Sequence, residues 1–291
     1  MAGVLRTAGA ASLAGRQERQ SQEDRVMRVG IVGIGTIGQA LAKAIDRGEV
    51  AAQLTAVHNR TVEKAQTFAR TLCRVPEVVD IAGVVARCDL VIEAATQAAL
   101  TAMAPGILEA GKDLMVLSVG AMLEHPEWPT LAARHGGRLY VPSGAIAGLD
   151  GLKGACAGRV DAVTITTRKP PQGLAGAPYV ETHGIDVYTF TTETVIFEGS
   201  AREACQGFPA NVNVAAAVSL AGIGPDRTRI RILVAPGSTR NMHDVEVQGE
   251  FGRLTTHIEN IPTDNPRTGK LAYLSAIAML KQIVSPCHCG T

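Results

Sequence analysis

The chain has 291 residues, enough for two domains that each bury a core, and its 28 Lys and Arg against 27 Asp and Glu leave a net charge of +1. That balance excludes a global field for nucleic acid or for an anionic membrane surface. Aromatic residues make up only 3% of the chain while glycines number 31, which suits tight turns and a small-molecule partner better than base-stacking surfaces.

Residues 1–26 begin Ala/Gly-rich, turn polar and lack helix or strand periodicity, and so read as a disordered extension. Their apolar part is interrupted at Arg6 and Thr7 and runs into charge, unlike a secretory signal. No apolar stretch approaches the roughly 18 to 20 residues that span a bilayer. Cys73, Cys88, Cys156, Cys205, Cys287 and Cys289 follow no framework spacing, so reduced thiols and a cytoplasmic location are expected.

Organised sequence starts at Arg28. RVGIVG reads as a buried strand, TIGQALAKAIDRG as an amphipathic helix and LTAVHNR as a second strand. Between the first strand and the helix stands Gly33-Ile34-Gly35-Thr36-Ile37-Gly38, the G-x-G-x-x-G spacing of a dinucleotide-binding βαβ unit. Gly33 permits the turn, Gly35 lets a pyrophosphate approach the helix N-terminus, and Gly38 lets the helix close on the strand. About twenty residues on, where NAD-selective sites place an acid, the chain has His58-Asn59-Arg60. Arg60 is either a partner for a 2′-phosphate, so that NADP is accepted alongside NAD, or a solvated residue opening the next helix.

The alternation continues with a weak strand near Val78-Val79-Asp80, a strong one at DLVIEAAT, a helix from Ala98 to Ala110 and a strand at DLMVLSVGA. Ligands bind beyond the carboxyl ends of such strands, so Ala95, Thr96, Ser118, Val119 and Gly120 are expected beside the cofactor. A helix from Trp128 to His135 and a strand at RLYVPSG complete a Rossmann dinucleotide-binding domain over 27–150.

Strands then dominate: DAVTITTRK, ETVIFEG, TRIRILVAP, RNMHDVEVQG and GRLTTHIEN, with a helix in FPANVNVAAAVSLAG. This is an α+β substrate and catalytic domain over 151–265 within an α/β protein. LAYLSAIAMLKQIV, within a tail of 266–291, reads as a helix returning to the first domain. Strand alternation puts Asn241 and His243 on one face with Val245 and Val247, and Asp244 and Glu246 on the other. His243 is either a core histidine or a general acid/base. Asn213, near a helix start, reads first as a cap. Cys287-His288-Cys289 has the look of a metal clip but lacks a second ligand pair, so no metal is expected.

GIVGIGTIG, LSVGA, PSGAIAGLDGL, FPANVNVAA and NMHDVEVQGEFG together make residues 27–284 resemble the L-aspartate dehydrogenase family. The resemblance implies oxidation of L-aspartate with NAD or NADP to iminoaspartate, which hydrolyses to oxaloacetate and ammonia or feeds NAD synthesis. It also implies His243 as the active-site histidine and Ala147 and Asn213 as cofactor contacts. On that reading Lys169 and Arg240 are the cations for two substrate carboxylates, unless they are surface charges, and Asn241 is a further substrate contact. A homo-oligomer, a homodimer first, is expected by analogy. Two rivals are kept: an aspartate-semialdehyde-type dehydrogenase using Cys156 as nucleophile, and a non-catalytic NADP-binding redox sensor.

Overall fold

The computed structural model describes residues 26–209, 213–261 and 269–290. The expectations for residues 1–25 and the 265/266 boundary lie outside the described residues.

The first sheet contains six strands, β1 (Met27–Val32), β2 (Ala52–His58), β3 (Glu77–Val78), β4 (Leu90–Glu93), β5 (Asp113–Val116) and β6 (Leu139–Tyr140). All pair in parallel, in the order β3-β2-β1-β4-β5-β6. Helices α1 (Thr36–Asp46), α2 (Val62–Ala69), α3 (Ile81–Arg87), α4 (Gln97–Glu109) and α5 (Trp128–Arg134) connect them. Parallel strands need such crossovers, and with both faces covered their sequences become largely apolar, as in fully buried β4, apolar up to its last residue, Glu93. The strand order reverses between β1 and β4, which opens a crevice at the carboxyl ends of the strands.

Two details of this domain differ from the sequence reading. The strand expected at Val78-Val79-Asp80 stops at Val78, because the Asp80 carboxylate accepts the Gly83 N–H at 2.7 Å and caps α3, a helix the apolar pattern had not marked. RLYVPSG contributes only Leu139 and Tyr140 to the sheet, since Pro142 has no N–H to donate to a ladder.

After α6 (Leu149–Ala155), a five-stranded sheet is built from β7 (Val160–Lys169), β8 (Thr194–Ser200), β9 (Thr228–Val234), β10 (Asn241–Gly249) and β11 (Gly252–Asn260). The order is β11-β10-β7-β9-β8, with only β7 and β9 parallel. Helices α7 (Pro178–Thr182), α8 (Ala201–Gly207) and α9 (Asn213–Ala221) share its apolar core. α8 starts at a capping box of Ser200 and Glu203, an S-x-x-E signal that the sequence reading passed over.

α10 (Lys270–Ile283) returns to the first domain, where Ala276, Ile277 and Leu280 pack in one core with Val29, Leu41 and Ile45. In the other direction, Val119 and Leu123, at the two ends of a 3₁₀ turn after β5, are buried in the core of the second domain. The two domains are therefore joined by apolar packing as well as by chain crossings.

Candidate active site

The glycine turn has the geometry a dinucleotide requires. Gly33 has φ +101°, and a Cβ there would lie 2.4 Å from the Ala94 carbonyl oxygen. A Cβ on Gly38 would lie 1.9 Å from the Gly33 oxygen, so α1 packs against the turn only because that atom is missing. A Cβ on Gly35 would meet nothing within 4 Å. Gly35 is the N-cap of α1, with Thr36 as its first residue, and the open space lies at the free N–H groups of the helix. The turn is held by β2, since Gly33 N–H donates to His58 O at 2.8 Å and Ile34 N–H to Asn59 Oδ1 at 3.1 Å. Arg60 follows directly and is exposed beside the turn.

From the turn a cavity of about 600 Å³ runs between the domains. Ile37, Ala95, Thr96, Leu117, Ser118 and Val119 line its first-domain side. Thr96 caps α4, its hydroxyl accepting the Ala99 N–H at 3.2 Å. The opposite wall is the end of the second sheet's inner face. β10 and β11 place Asn241 directly opposite Asn260, and the neighbouring Met242–Arg168 pair brings Asn241 beside Lys169 of β7. Lys169, Asn241 and Asn260 form a polar row, all buried and all lining the cavity. One step deeper on the same face come Thr167, His243 and Ile258, and beyond them Ile165, Val245 and Thr256.

His243 also lines the cavity, and its Nδ1 is hydrogen-bonded to Thr167 Oγ1 at 3.0 Å. Burial, followed by the charge of Lys169, pushes its pKa down to about 3, against a weaker upward pull from Asp244, so the imidazole is neutral near pH 7. Asn213 spans the domains: its Oδ1 accepts the Gly120 N–H at 3.2 Å. Gln97 makes a parallel tie, donating to Pro209 O at 3.0 Å.

The structure thus gathers Ile37, Ala95, Thr96, Ser118, Lys169, Asn213, Asn241 and His243 around one cavity, with Gly33, Gly35, Thr36 and Gly38 in the adjoining turn. Gly120 lies behind the lining, buried against Gln97. Ala147 is exposed outside the lining, its carbonyl accepting from Thr256 at 3.4 Å. The substrate role expected of Arg240 is corrected: it does not line the cavity, and its exposed guanidinium pairs with Glu259. Cys156 is also outside, so a thiol-dependent aldehyde oxidation finds no cysteine among the described lining residues. The sequence reading missed Asn260, which donates to Ala145 O at 2.7 Å and so anchors the segment crossing between domains. It also missed Glu93, whose only signal is a carboxylate in an otherwise apolar strand.

A doubly wound domain with an open glycine turn, facing a second domain that presents a buried cation and a neutral imidazole, defines a two-domain dehydrogenase that uses NAD(P). The comparisons agree with that class. Residues 33–142 match the family model described as homoserine dehydrogenase, NAD binding domain, and residues 150–283 match aspartate dehydrogenase, C-terminal. An L-aspartate dehydrogenase of Methanosarcina mazei is 46% identical over 272 residues, 91% of this chain and 100% of that protein. One of Bradyrhizobium diazoefficiens is 44% identical over 256 residues, covering 88% of this chain and 91% of that protein. The crystal structure of aspartate dehydrogenase from Thermotoga maritima superposes with a TM-score of 0.70 at 25% identity, covering 91% of this chain and 100% of that one. The chain belongs to the L-aspartate dehydrogenase family.

Proposed function

We propose that the protein catalyses the NAD(P)-dependent oxidative deamination of L-aspartate to iminoaspartate, which hydrolyses to oxaloacetate and ammonia. The observation that carries this reading is the polar row of Lys169, Asn241 and Asn260 set beside His243 on the wall opposite the cofactor loops. Lys169 meets a substrate carboxylate, and the buried amides of Asn241 and Asn260 orient the rest of the dicarboxylate. His243, held at Nδ1 by Thr167, uses Nε2 to accept the ammonium proton, leaving the amine whose Cα–H bond breaks. When bound, NAD(P)⁺ supplies the hydride acceptor. A substrate carboxylate on Lys169 cancels part of the charge that depresses His243, so the imidazole gains proton affinity as the substrate arrives. Asn213 and Ala147 are assigned to the cofactor side of the site, as is Ser118.

NADP is accepted alongside NAD on this reading, because His58-Asn59-Arg60 offers no carboxylate at the ribose 2′ position and Arg60 is exposed beside the glycine turn. The imine supplies pyridine-nucleotide biosynthesis. The protein acts in the cytoplasm, where its six free thiols stay reduced. It assembles as a homodimer, by analogy with strand-rich domains that pair through sheet faces or edges.

Absorbance at 340 nm with L-aspartate and NAD⁺ or NADP⁺ in separate cuvettes tests the reaction. Aspartate-dependent reduction is expected, and Arg60→Ala is expected to lower NADP⁺ affinity about tenfold relative to NAD⁺. Cofactor binding without turnover, in this direction or with oxaloacetate and ammonia, would favour the sensor reading.

A further inference from the structure

Glu93 has no part in the chemistry above, yet it is 0% exposed at the end of β4. Its oxygens take four hydrogen bonds from the carboxyl ends of β4 and β5. Oε1 accepts from the Ala95 N–H at 2.8 Å and the Ser118 hydroxyl at 2.7 Å. Oε2 accepts from the N–H groups of Leu117 at 3.1 Å and Ser118 at 2.8 Å. None of these partners is a cation. Three of the four are backbone N–H groups, which cannot turn to accept a proton from a neutral carboxyl, so the cage is built for the ionised form. Burial pushes the carboxyl upward from its ordinary range, and the four donors act against that.

Ala95, Leu117 and Ser118 also line the cavity. A dinucleotide lying across the β1–β4 switch point places its nicotinamide half over β4 and β5. The oxidised nicotinamide ring is cationic and the reduced ring neutral, and a buried charge near it is weakly screened.

We propose that Glu93 is a positioning residue that ties the β4 and β5 loops into one cofactor shelf, and that its buried negative charge makes the site favour oxidised over reduced dinucleotide. This rests on NAD(P) use alone, and its test contains no aspartate, so a failure of the substrate assignment leaves it standing.

The test is calorimetric titration of the full chain with NAD⁺, NADH, NADP⁺ and NADPH, for wild type, Glu93→Gln and Glu93→Asp. In Glu93→Gln the Ser118 hydroxyl can turn to accept from the new amide, and only the Ala95 N–H loses its partner. Loss of one charge about 10 Å from the ring, at an effective dielectric of about 20, corresponds to roughly a tenfold change in the ratio of the two affinities. Glu93→Gln is therefore expected to weaken the oxidised forms about tenfold more than the reduced forms. Glu93→Asp keeps the charge but withdraws it from the cage, and should weaken both by the same factor. A loss confined to structure would weaken both forms equally in both variants. A ratio unchanged in Glu93→Gln, or shifted as far in Glu93→Asp, overturns the proposal. If Glu93→Gln does not fold, the wild-type titrations decide: oxidised forms bound more tightly than reduced forms support the proposal, and reduced forms bound as tightly or more tightly overturn it.

Discussion

Gly35 and Gly38 stand three residues apart in one motif, yet the structure separates their jobs, and alanine at each should fail in a different way. At Gly35 the backbone is extended (φ −88°, ψ −165°), which alanine adopts, and a Cβ meets nothing within 4 Å. Alanine is a poorer N-cap than glycine by up to about 1 kcal/mol, and the smaller freedom of the unfolded chain returns about 0.4–1 kcal/mol. Stability should therefore stay within about 1 kcal/mol of wild type. The same methyl projects into the space kept for the pyrophosphate, so NAD⁺ affinity should fall by about 10- to 100-fold, roughly 1.4–2.8 kcal/mol. At Gly38 a Cβ sits 1.9 Å from the Gly33 oxygen, whereas ordinary contact begins near 3.4 Å. The helix must then move by about 1.5 Å, at a cost of about 3 kcal/mol by the usual scale for overpacking, or roughly 10 °C in Tm. Thermal melts and calorimetric NAD⁺ titrations of both variants check this. A Gly35→Ala protein that binds NAD⁺ as wild type does, or one that melts as low as Gly38→Ala, would refute the assignment.

His243→Ala should lower turnover by about 10²-fold while leaving NAD⁺ affinity unchanged; retained turnover would take the imidazole out of the mechanism. The same residue makes stability depend on pH. Its folded pKa of about 3 lies below the ordinary 6.5, so the unfolded chain binds the proton first; the contribution is complete above about pH 6.5 and is lost as pH falls towards 3. Between pH 7 and pH 5 that amounts to about 2 kcal/mol, which urea titration of wild type should show and His243→Asn should lack. Lys169→Met should raise the KM for aspartate at least tenfold with cofactor affinity intact, and should move the acid limb of the kcat/KM profile to higher pH, because the cation that opposes protonation of His243 is gone; an unmoved acid limb would show that the two groups do not interact.

Much of this molecule is legible in local pattern. The glycine spacing, the apolar runs of β1 and β4 and the strict alternation of β10 and β11 follow from periods of the backbone, so they can be read without knowing what packs against them. The observed β11, Gly252–Asn260, has the bounds of the strand expected from GRLTTHIEN. Alternation likewise puts Asn241 and His243 on the face that turns out to be buried. The short helices α3, α6, α7 and α8 escaped, since five to seven residues give a 3.6 period few turns in which to register, although α5, also seven residues long, was legible.

What tertiary structure alone decided is which polar groups meet, because meeting depends on strand register and not on sequence distance. Lys169 and Arg240 look alike as isolated cations near strand ends. Pairing of β7 with β10 buries Lys169 at the cavity, while Arg240 ends up exposed against Glu259. Asn260 enters the site because β11 pairs with β10 so that it faces Asn241, and Glu93 gains its three donors from Leu117 and Ser118 only where β4 and β5 lie side by side. A sequence states the face each residue occupies. The neighbours across that face come from hydrogen-bonded register, which is set by the packing of the whole sheet.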